Sequence, residues 1–475
     1  MFDHDLGNPT MSIEQYAGQA TEFDVDVAIV GAGGCGLTAA LAAHQGGASV
    51  LVLERDPTPM GSTGMSTGLI PAAGTRFQTE HNIADDAQTF ANDIVAKTHG
   101  ETDPAIALAL AGASARTIEW LVDDCAVPLT LVTSFQYPGH SAMRMHGTPN
   151  RTGKELMGAL CSAVERAEIP VLCDATVSTL LVDSEQRVRA LRCTRPDGQQ
   201  ETVGVGALIL ACCGFGANDS MVREFMPEIA NGVYYGHPGN LGDAVRWGRE
   251  LGAALGDMTA YQGHGGLAKD RGVPILWPVV MQGGVQVNAE GHRFSNEARG
   301  YSEQAVDVLR QPGGWVWMIY DQQRHDLMLE FEDYHDAMDA GAIRHAVSWE
   351  ALAADLALPL NELSKTIADV ERCRVDGSVD DFGRAFSGTE PFRAPFFAAK
   401  VTGALFHTQG GLCVDADARV LDEAGRPLPN LYAGGGAARG ISGSGASGYM
   451  AGNGLLTATT MGRLAGTHAA KTASD

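Results

Sequence analysis

Residues 27–54, VAIVGAGGCGLTAALAAHQGGASVLVLE, decide the fold. An apolar run enters Gly31-x-Gly33-x-x-Gly36, an alanine-rich helical pattern follows, and a second apolar run, VLVL, ends on Glu54. That order reads as strand, glycine turn, helix and strand with a terminal acid. Gly31 permits the tight turn, Gly33 lets backbone N–H groups approach a pyrophosphate at the helix start, and Gly36 lets helix and strand pack closely. Ala32, Gly34 and Cys35 complete the turn, and Glu54, followed by Arg55, is placed to accept hydrogen bonds from a ribose diol. Glycine spacing alone is weak, but with flanking strands and an acid 18 residues after Gly36 it points to an adenine dinucleotide.

The rest of the composition agrees with an enzyme of more than one domain. The chain has 475 residues, 45% of them hydrophobic, enough for a large core. A formal charge of −24 argues against nucleic acid or an anionic membrane as partner. No run of about 18 apolar residues suggests a membrane span. The first 23 residues are polar and acidic and read as a flexible arm, not a signal peptide. The nine cysteines form no CxxC pair, and we read them as reduced thiols of a cytoplasmic protein, with no metal site.

Helical patterns fall at 104–125 and 153–168, and strand patterns at 170–195 and 201–210, the last ending in the glycine turn ACCGFG. From about 263 to 400 the chain turns aromatic and charged, with helical segments near 302–310, 322–340, 348–355 and 360–373. Strand-like VTGALFHTQGGLCVD resumes at 401, and NLYAGGG with GNGLLTATTMGRLAGTHAA gives a closing strand, turn and helix. The expected fold is α/β. A Rossmann-type cofactor domain is split into 1–262 and 401–475, and an α+β cap, 263–400, is inserted between them.

The motifs GAGGCGL, ERDPTPMGSTGMSTG, ACCGFGAND, GNLGDA, GGVQVNAEGHRFSNE, HTQGGLCVD and PNLYAGGG occur in this order. In them the chain resembles the flavoprotein subunit family of fumarate reductase and succinate dehydrogenase, which includes the 3-ketosteroid dehydrogenases. The resemblance implies FAD as the ligand of the Rossmann turn. It assigns phosphate and flavin-edge contacts to Ser62, Thr63, Ser66, Thr67 and Gly68, and further cofactor contacts to Val177, Ala211, Asp243, Gly411, Gly435 and Gly436. It also places Asn453, Gly454, Leu455 and Leu456 at the helix end facing the flavin. Family members with covalent FAD carry a histidine just after the glycine-serine pair; STGMSTG has none, so noncovalent FAD is expected.

In fumarate reductases two histidines and two arginines surround the substrate. The histidines match His264 and His407, but the places of the arginines fall on Tyr301 and Tyr449. The place of a Thr-Glu pair that holds a second carboxylate falls near Leu276 and Trp277. Without arginines there is no bidentate dicarboxylate clamp. In this pattern the chain resembles the 3-ketosteroid dehydrogenase branch. That resemblance implies a desaturase of a cyclic ketone, a 3-ketosteroid or an acid such as 4-oxocyclohexanecarboxylate. Tyr449 and the N–H of Gly452 or Asn453 would polarise the carbonyl, and Tyr301 would remove the α-proton, with a lowered pKa or a relay to His264. The reduced flavin would pass electrons to oxygen, a quinone or an electron-transfer protein.

His407 reads equally as a hydrogen-bonded structural histidine or as a carboxylate contact. His140, Arg144, His146 and Arg151 cluster ahead of a helix, as an anion-binding part of the substrate pocket or as a salt-bridged loop. Two departures count against a steroid. The family's AGE tripeptide is Ala433-Gly434-Gly435 here, and a serine of some steroid enzymes is Ala451. Two alternatives stand beside the desaturase: a fumarate-reductase-like reductase of an activated alkene, and a flavin electron carrier without substrate chemistry.

Overall fold

The computed structural model describes residues 11–473. A nine-stranded sheet forms the first layer. Its main path runs Ser12–Gln15, Thr176–Val182, Val188–Thr194, Gln200–Leu210, Phe23–Val30, Val50–Leu53, Val171–Leu172. The centre is parallel: Val27–Val30 pairs with Val50–Leu53 on one side and with Ala207–Leu210 on the other. Val27, Ala28 and Ile29 are fully buried, as the continuous apolar run requires of a strand covered on both faces. The closing strand Pro427–Ala433 adds in parallel beside Leu208–Leu210 and so returns the C-terminal part of the chain to the same sheet.

Two helices cover one face of this sheet, and small residues let them touch. A Cβ added to Gly466 would stand 2.1 Å from the Ala39 carbonyl oxygen, and one on Gly462 would stand 2.5 Å from that of Cys35. The closing helix, Asn453–Ala473, therefore lies directly on the first helix, Gly34–Gln45. Pro104–Asp123 is the one described helix long and apolar enough to cross a membrane, but Ala107, Leu110, Ala111, Ile118 and Leu121 pack into the core. Asp103 caps it by accepting the N–H groups of Ala105 and Ile106.

The cap carries a six-stranded mixed sheet built on the 13-residue strand Phe396–Thr408. Trp315–Asp321 and Tyr261–Ala268 pair with it antiparallel, and Val233–Tyr234 joins its end in parallel. The fold is thus a discontinuous Rossmann-type FAD-binding domain with an inserted mixed-sheet capping domain.

Several local expectations change. Of the expected arm, residues 1–10 lie outside the described residues, but Ser12–Gln15 is an edge strand paired with Thr179–Val182. The helical stretch 322–340 is two helices, Gln322–Met328 and Glu332–Asp339. Phe331 parts them, adopting an extended backbone (φ −115°, ψ 128°) with only 1% of its surface exposed. Strands Tyr261–Ala268 and Phe396–Thr408 run across positions 263 and 400, joining cap to cofactor domain through continuous ladders.

Candidate active site

One continuous cavity runs from the first glycine turn to the cap. At its dinucleotide end the backbone is fitted closely. Gly31 has φ +102°, and a Cβ there would lie 2.6 Å from the Ala211 carbonyl oxygen; a Cβ on Gly36 would lie 1.8 Å from that of Gly31. At Gly33 an added Cβ would meet nothing nearer than 3.9 Å, so this face of the turn opens on the cavity, where a pyrophosphate fits against the uncapped helix start. Glu54 accepts the Ala32 N–H at 2.7 Å and that of Asp56 at 3.0 Å, which fixes its carboxylate at the mouth of the turn.

The 62–68 loop is held rigid by its own bonds. Thr63 Oγ1 accepts the Gly34 N–H at 3.1 Å, Ser66 Oγ donates to Thr63 O at 2.7 Å, and Gly68 N–H donates to Ser66 Oγ at 3.1 Å. Ser62 Oγ accepts Asn240 Nδ2 at 2.9 Å, so it anchors the neighbouring 237–240 loop. Asp243 Oδ1 and Trp247 Nε1 are buried without a hydrogen-bond partner among the described residues, and both residues line the cavity. Such orphaned groups fit a polar ligand that completes them.

Gly31, Gly33, Gly34, Cys35, Glu54, Arg55, Ser62, Thr63, Ser66, Thr67, Val177, Ala211, Asp243, Gly435, Gly436, Gly454 and Leu455 all line the cavity. Ala32, Gly36, Gly68, Gly411, Asn453 and Leu456 stand behind its wall. Gly411, for example, is seated against Ala437, and Leu456 is fully buried.

At the cap end the lining is aromatic. The Tyr301 ring lies 5.2 Å from His264, 6.1 Å from Trp277, 6.0 Å from Tyr449 and 6.5 Å from Tyr137, centroid to centroid. His264 stacks on Phe406 at 4.8 Å. Leu276 and Gly452 also face the cavity, and the Trp277 indole N–H is buried without a partner among the described residues. Across the whole lining, Arg55 is the one arginine or lysine among the described residues.

Electrostatics alters the roles expected here. Burial, together with the Tyr449 and Tyr137 phenols, pushes Tyr301 well above the ordinary phenol value, so it holds its proton and is a poor base. Burial lowers His264 to about 3, and its Nδ1 accepts the Gly266 N–H at 3.0 Å. It is neutral and takes no proton from a phenol. Burial also lowers His407, to about 4; its ring packs against Gly454, where an added Cβ would stand 2.7 Å from Nε2. Of the expected oxyanion hole, the Asn453 N–H is already committed, donating to Met450 O at 3.1 Å, while the Gly452 and Gly454 N–H groups lower the Tyr449 phenol against the larger effect of burial.

The 137–153 cluster does not reach the cavity as cations. Arg144, 1% exposed, donates to Asp85 at 2.7 and 2.8 Å and to Asp93 at 2.5 Å. His140 Nε2 bonds Ala451 O at 3.0 Å. His146 bonds Thr75 at 3.0 Å, and Arg151 pairs with Glu330 at 3.1 Å. This is a salt-bridged loop that supports the wall. Tyr137 from the same stretch does line the cavity, as do Tyr235, Trp247, Asp333 and Phe406. Each is a lone aromatic or acid with no motif spacing of its own to give it a role, even where, like Phe406 beside His407, it lies within a quoted stretch. The signal for Tyr137 was its place at the head of the cationic loop.

The chain matches the family described as FAD binding domain over residues 26–455. It is 29% identical over 451 residues to the probable fumarate reductase Ifc3 of Shewanella frigidimarina (strain NCIMB 400), covering 94% of this chain and 75% of that protein. It is 27% identical over 466 residues to the NADH:fumarate oxidoreductase of Klebsiella pneumoniae (strain 342), covering 98% of this chain but 49% of that longer protein. Among solved structures, a flavocytochrome c3 fumarate reductase in an open conformation superposes with a TM-score of 0.80 at 27% identity, covering 96% of this chain and 80% of that one. The 3-ketosteroid-Δ4-(5α)-dehydrogenase of Rhodococcus jostii RHA1 superposes at 0.74 with 23% identity, covering 96% and 99%, a likeness of fold alone.

These findings overturn the expected ketosteroid kinship. With it fall the ketone desaturation and the cyclic-ketone substrate, because the flavocytochrome c3 fumarate reductase exceeds the steroid enzyme in both identity and superposition, and the probable fumarate reductase Ifc3 exceeds it in identity. With residues 26–455 matched, the chain belongs to the FAD binding domain family and is an oxidoreductase that binds FAD noncovalently and acts on CH–CH groups.

Proposed function

We propose that the protein reduces an activated carbon–carbon double bond. Bound FAD supplies the hydride chemistry, and an external redox partner supplies the electrons. One observation carries this reading: Tyr301, enclosed by Tyr137, His264, Trp277 and Tyr449, is held protonated by burial and its neighbours. At neutral pH this phenol is in the protonated form needed to deliver a proton to the basic α-carbon left by hydride addition; its raised pKa makes it a weaker acid than a free phenol, so its contribution comes from position, and positioned acids contribute about 10²–10⁴ in rate. Tyr301 opens the helix Tyr301–Leu309 after Gly300, whose φ of +149° turns the chain so that the ring enters the cavity. Tyr449, its ring 6.0 Å from that of Tyr301, raises the Tyr301 phenol further, and the Gly452 and Gly454 N–H groups act on the Tyr449 hydroxyl.

The substrate is not a dicarboxylate. Two phenols stand where a carboxylate clamp needs arginines, and Arg55, the lone arginine of the lining, neighbours Asp243 at the cofactor end. The Tyr137, Trp277, Tyr301 and Tyr449 rings suit a planar, conjugated alkene.

The test is anaerobic mixing of chemically reduced holoenzyme with methyl cinnamate, acrylamide and fumarate while flavin reoxidation is followed near 450 nm. An uncharged alkene should reoxidise the flavin faster than fumarate, and Tyr301→Phe should slow it. If no alkene reoxidises the flavin, the reading is wrong.

A further inference from the structure

The cap end of the cavity carries one carboxyl group. Asp333 lies in the first turn of the helix Glu332–Asp339 and faces the cavity with Tyr137 and Tyr235, two rings whose phenols feel its charge. Tyr235 packs on Phe406 at 4.9 Å, and Tyr137 leads on to Tyr301 at 6.5 Å. A ring-lined chamber therefore runs from this carboxyl group to the proton-holding phenol.

The charges around Asp333 do not cancel it. On its own helix Glu332 and Asp336 add negative charge. From the neighbouring helix start, Lys154 is exposed and lowers its pKa only as the smallest of four influences, and Arg151 is already paired with Glu330 at 3.1 Å. Of the three cavity histidines, His264 and His407 are neutral, and His237 pairs with Asp56 at the cofactor end. Burial first, then Asp336 and Glu332, raise the Asp333 carboxyl to about 6, so at neutral pH it is mostly ionised and lacks a committed cation.

Aromatic faces attract cations, and a carboxylate beside them supplies the counter-charge; an anion placed there meets repulsion and no cation in compensation. We propose that the alkene accepted by this site bears, on the end remote from its reacting carbons, a planar group with a protonated nitrogen, and that Asp333 is the residue that selects it. This rests on the alkene-reductase reading, and the two can fail separately.

Three esters that differ only in remote charge make the test: methyl 4-(aminomethyl)cinnamate, methyl cinnamate and methyl 4-carboxycinnamate. Binding to oxidised holoenzyme is read from perturbation of the flavin spectrum, and turnover from reoxidation of the reduced protein. The aminomethyl ester should bind at least about tenfold more tightly than the carboxy ester. Asp333→Asn should bring the two within about twofold, Asp333→Lys should reverse their order, and Glu332→Gln, altering an exposed neighbour, should keep it. A wild-type protein that does not favour the aminomethyl ester, or an unchanged ratio in an Asp333→Asn protein with full flavin content, overturns the assignment. Charge-ordered binding with no turnover of any ester would leave Asp333 as the selector and sink the reductase reading.

Discussion

The two ends of the cavity are built from different materials. The dinucleotide end is backbone: glycines where an added Cβ would stand within 3 Å of a facing carbonyl, an uncapped helix start and a loop tied by its own hydroxyls. The cap end is side chain: rings from the segments around 137, 235, 264, 277, 301, 406 and 449, far apart in sequence, meeting at centroid separations of 4.8–6.5 Å. A backbone site tolerates almost no substitution and keeps its ligand. A side-chain site can be rewritten one residue at a time while the fold around it stays the same.

The sharpest way to break that contrast is at Gly36. Gly36→Ala puts a methyl 1.8 Å from the Gly31 oxygen. It should cost on the order of 4 kcal/mol or more and abolish flavin content, measured by the 450/280 nm absorbance ratio and thermal unfolding. Acid should come next. Burial lowers His140 to about 4, His146 to about 4 and His264 to about 3, all from 6.5. The unfolded chain therefore takes up protons below 6.5 that the folded chain refuses, and stability falls as pH drops from 6.5 toward 4. The ceiling is about 1.4 kcal/mol per pH unit for each histidine, and it is checked by unfolding midpoints at pH 7.5 and 5.

Smaller effects probe the side-chain end alone. Tyr301→Phe should lower alkene turnover about 100-fold or more with flavin content intact. Joint Tyr301→Arg and Tyr449→Arg should raise fumarate affinity about tenfold, read as displacement of the flavin spectrum, because a fork of donors returns to each place. The smallest effect concerns Lys97, whose ammonium pairs with Glu303 on the helix that Tyr301 opens, their side chains 12% and 14% exposed. Lys97→Ala should cost about 1 kcal/mol in thermal stability, since Glu303 is left part-buried without its partner.

The same contrast explains what could be read from the chain before its structure. The β-α-β turn and the split cofactor domain were legible, because close backbone approach demands glycine at fixed spacing and a buried parallel strand demands an unbroken apolar run. His264, Tyr301 and Tyr449, singled out by position within motifs, do meet in one cavity, but their protonation was not legible, since burial is a tertiary property: Tyr301 was expected as a base, and burial keeps its proton on. Arg144 reads from sequence as either a ligand contact or part of a salt-bridged loop, because sequence shows a cation but not Asp85 and Asp93, 59 and 51 residues away, that neutralise it. Asp333 was invisible for the opposite reason. It lies among other acids on an amphipathic helix, where a cavity-facing carboxylate and a solvated one look alike.

The strand Phe396–Thr408 acts as a stiff beam. Its first half is clamped between Trp315–Asp321 and Ile343–Ala346, and its far end carries Phe406 and His407 to the wall where Gly454 opens the closing helix. A beam of thirteen residues, bonded along both edges, cannot bend at its middle without breaking several rungs at once. Any swing of the cap that admits a substrate must therefore pivot about this strand and leave it in place, and its amide protons should be among the last in the cap to exchange with solvent.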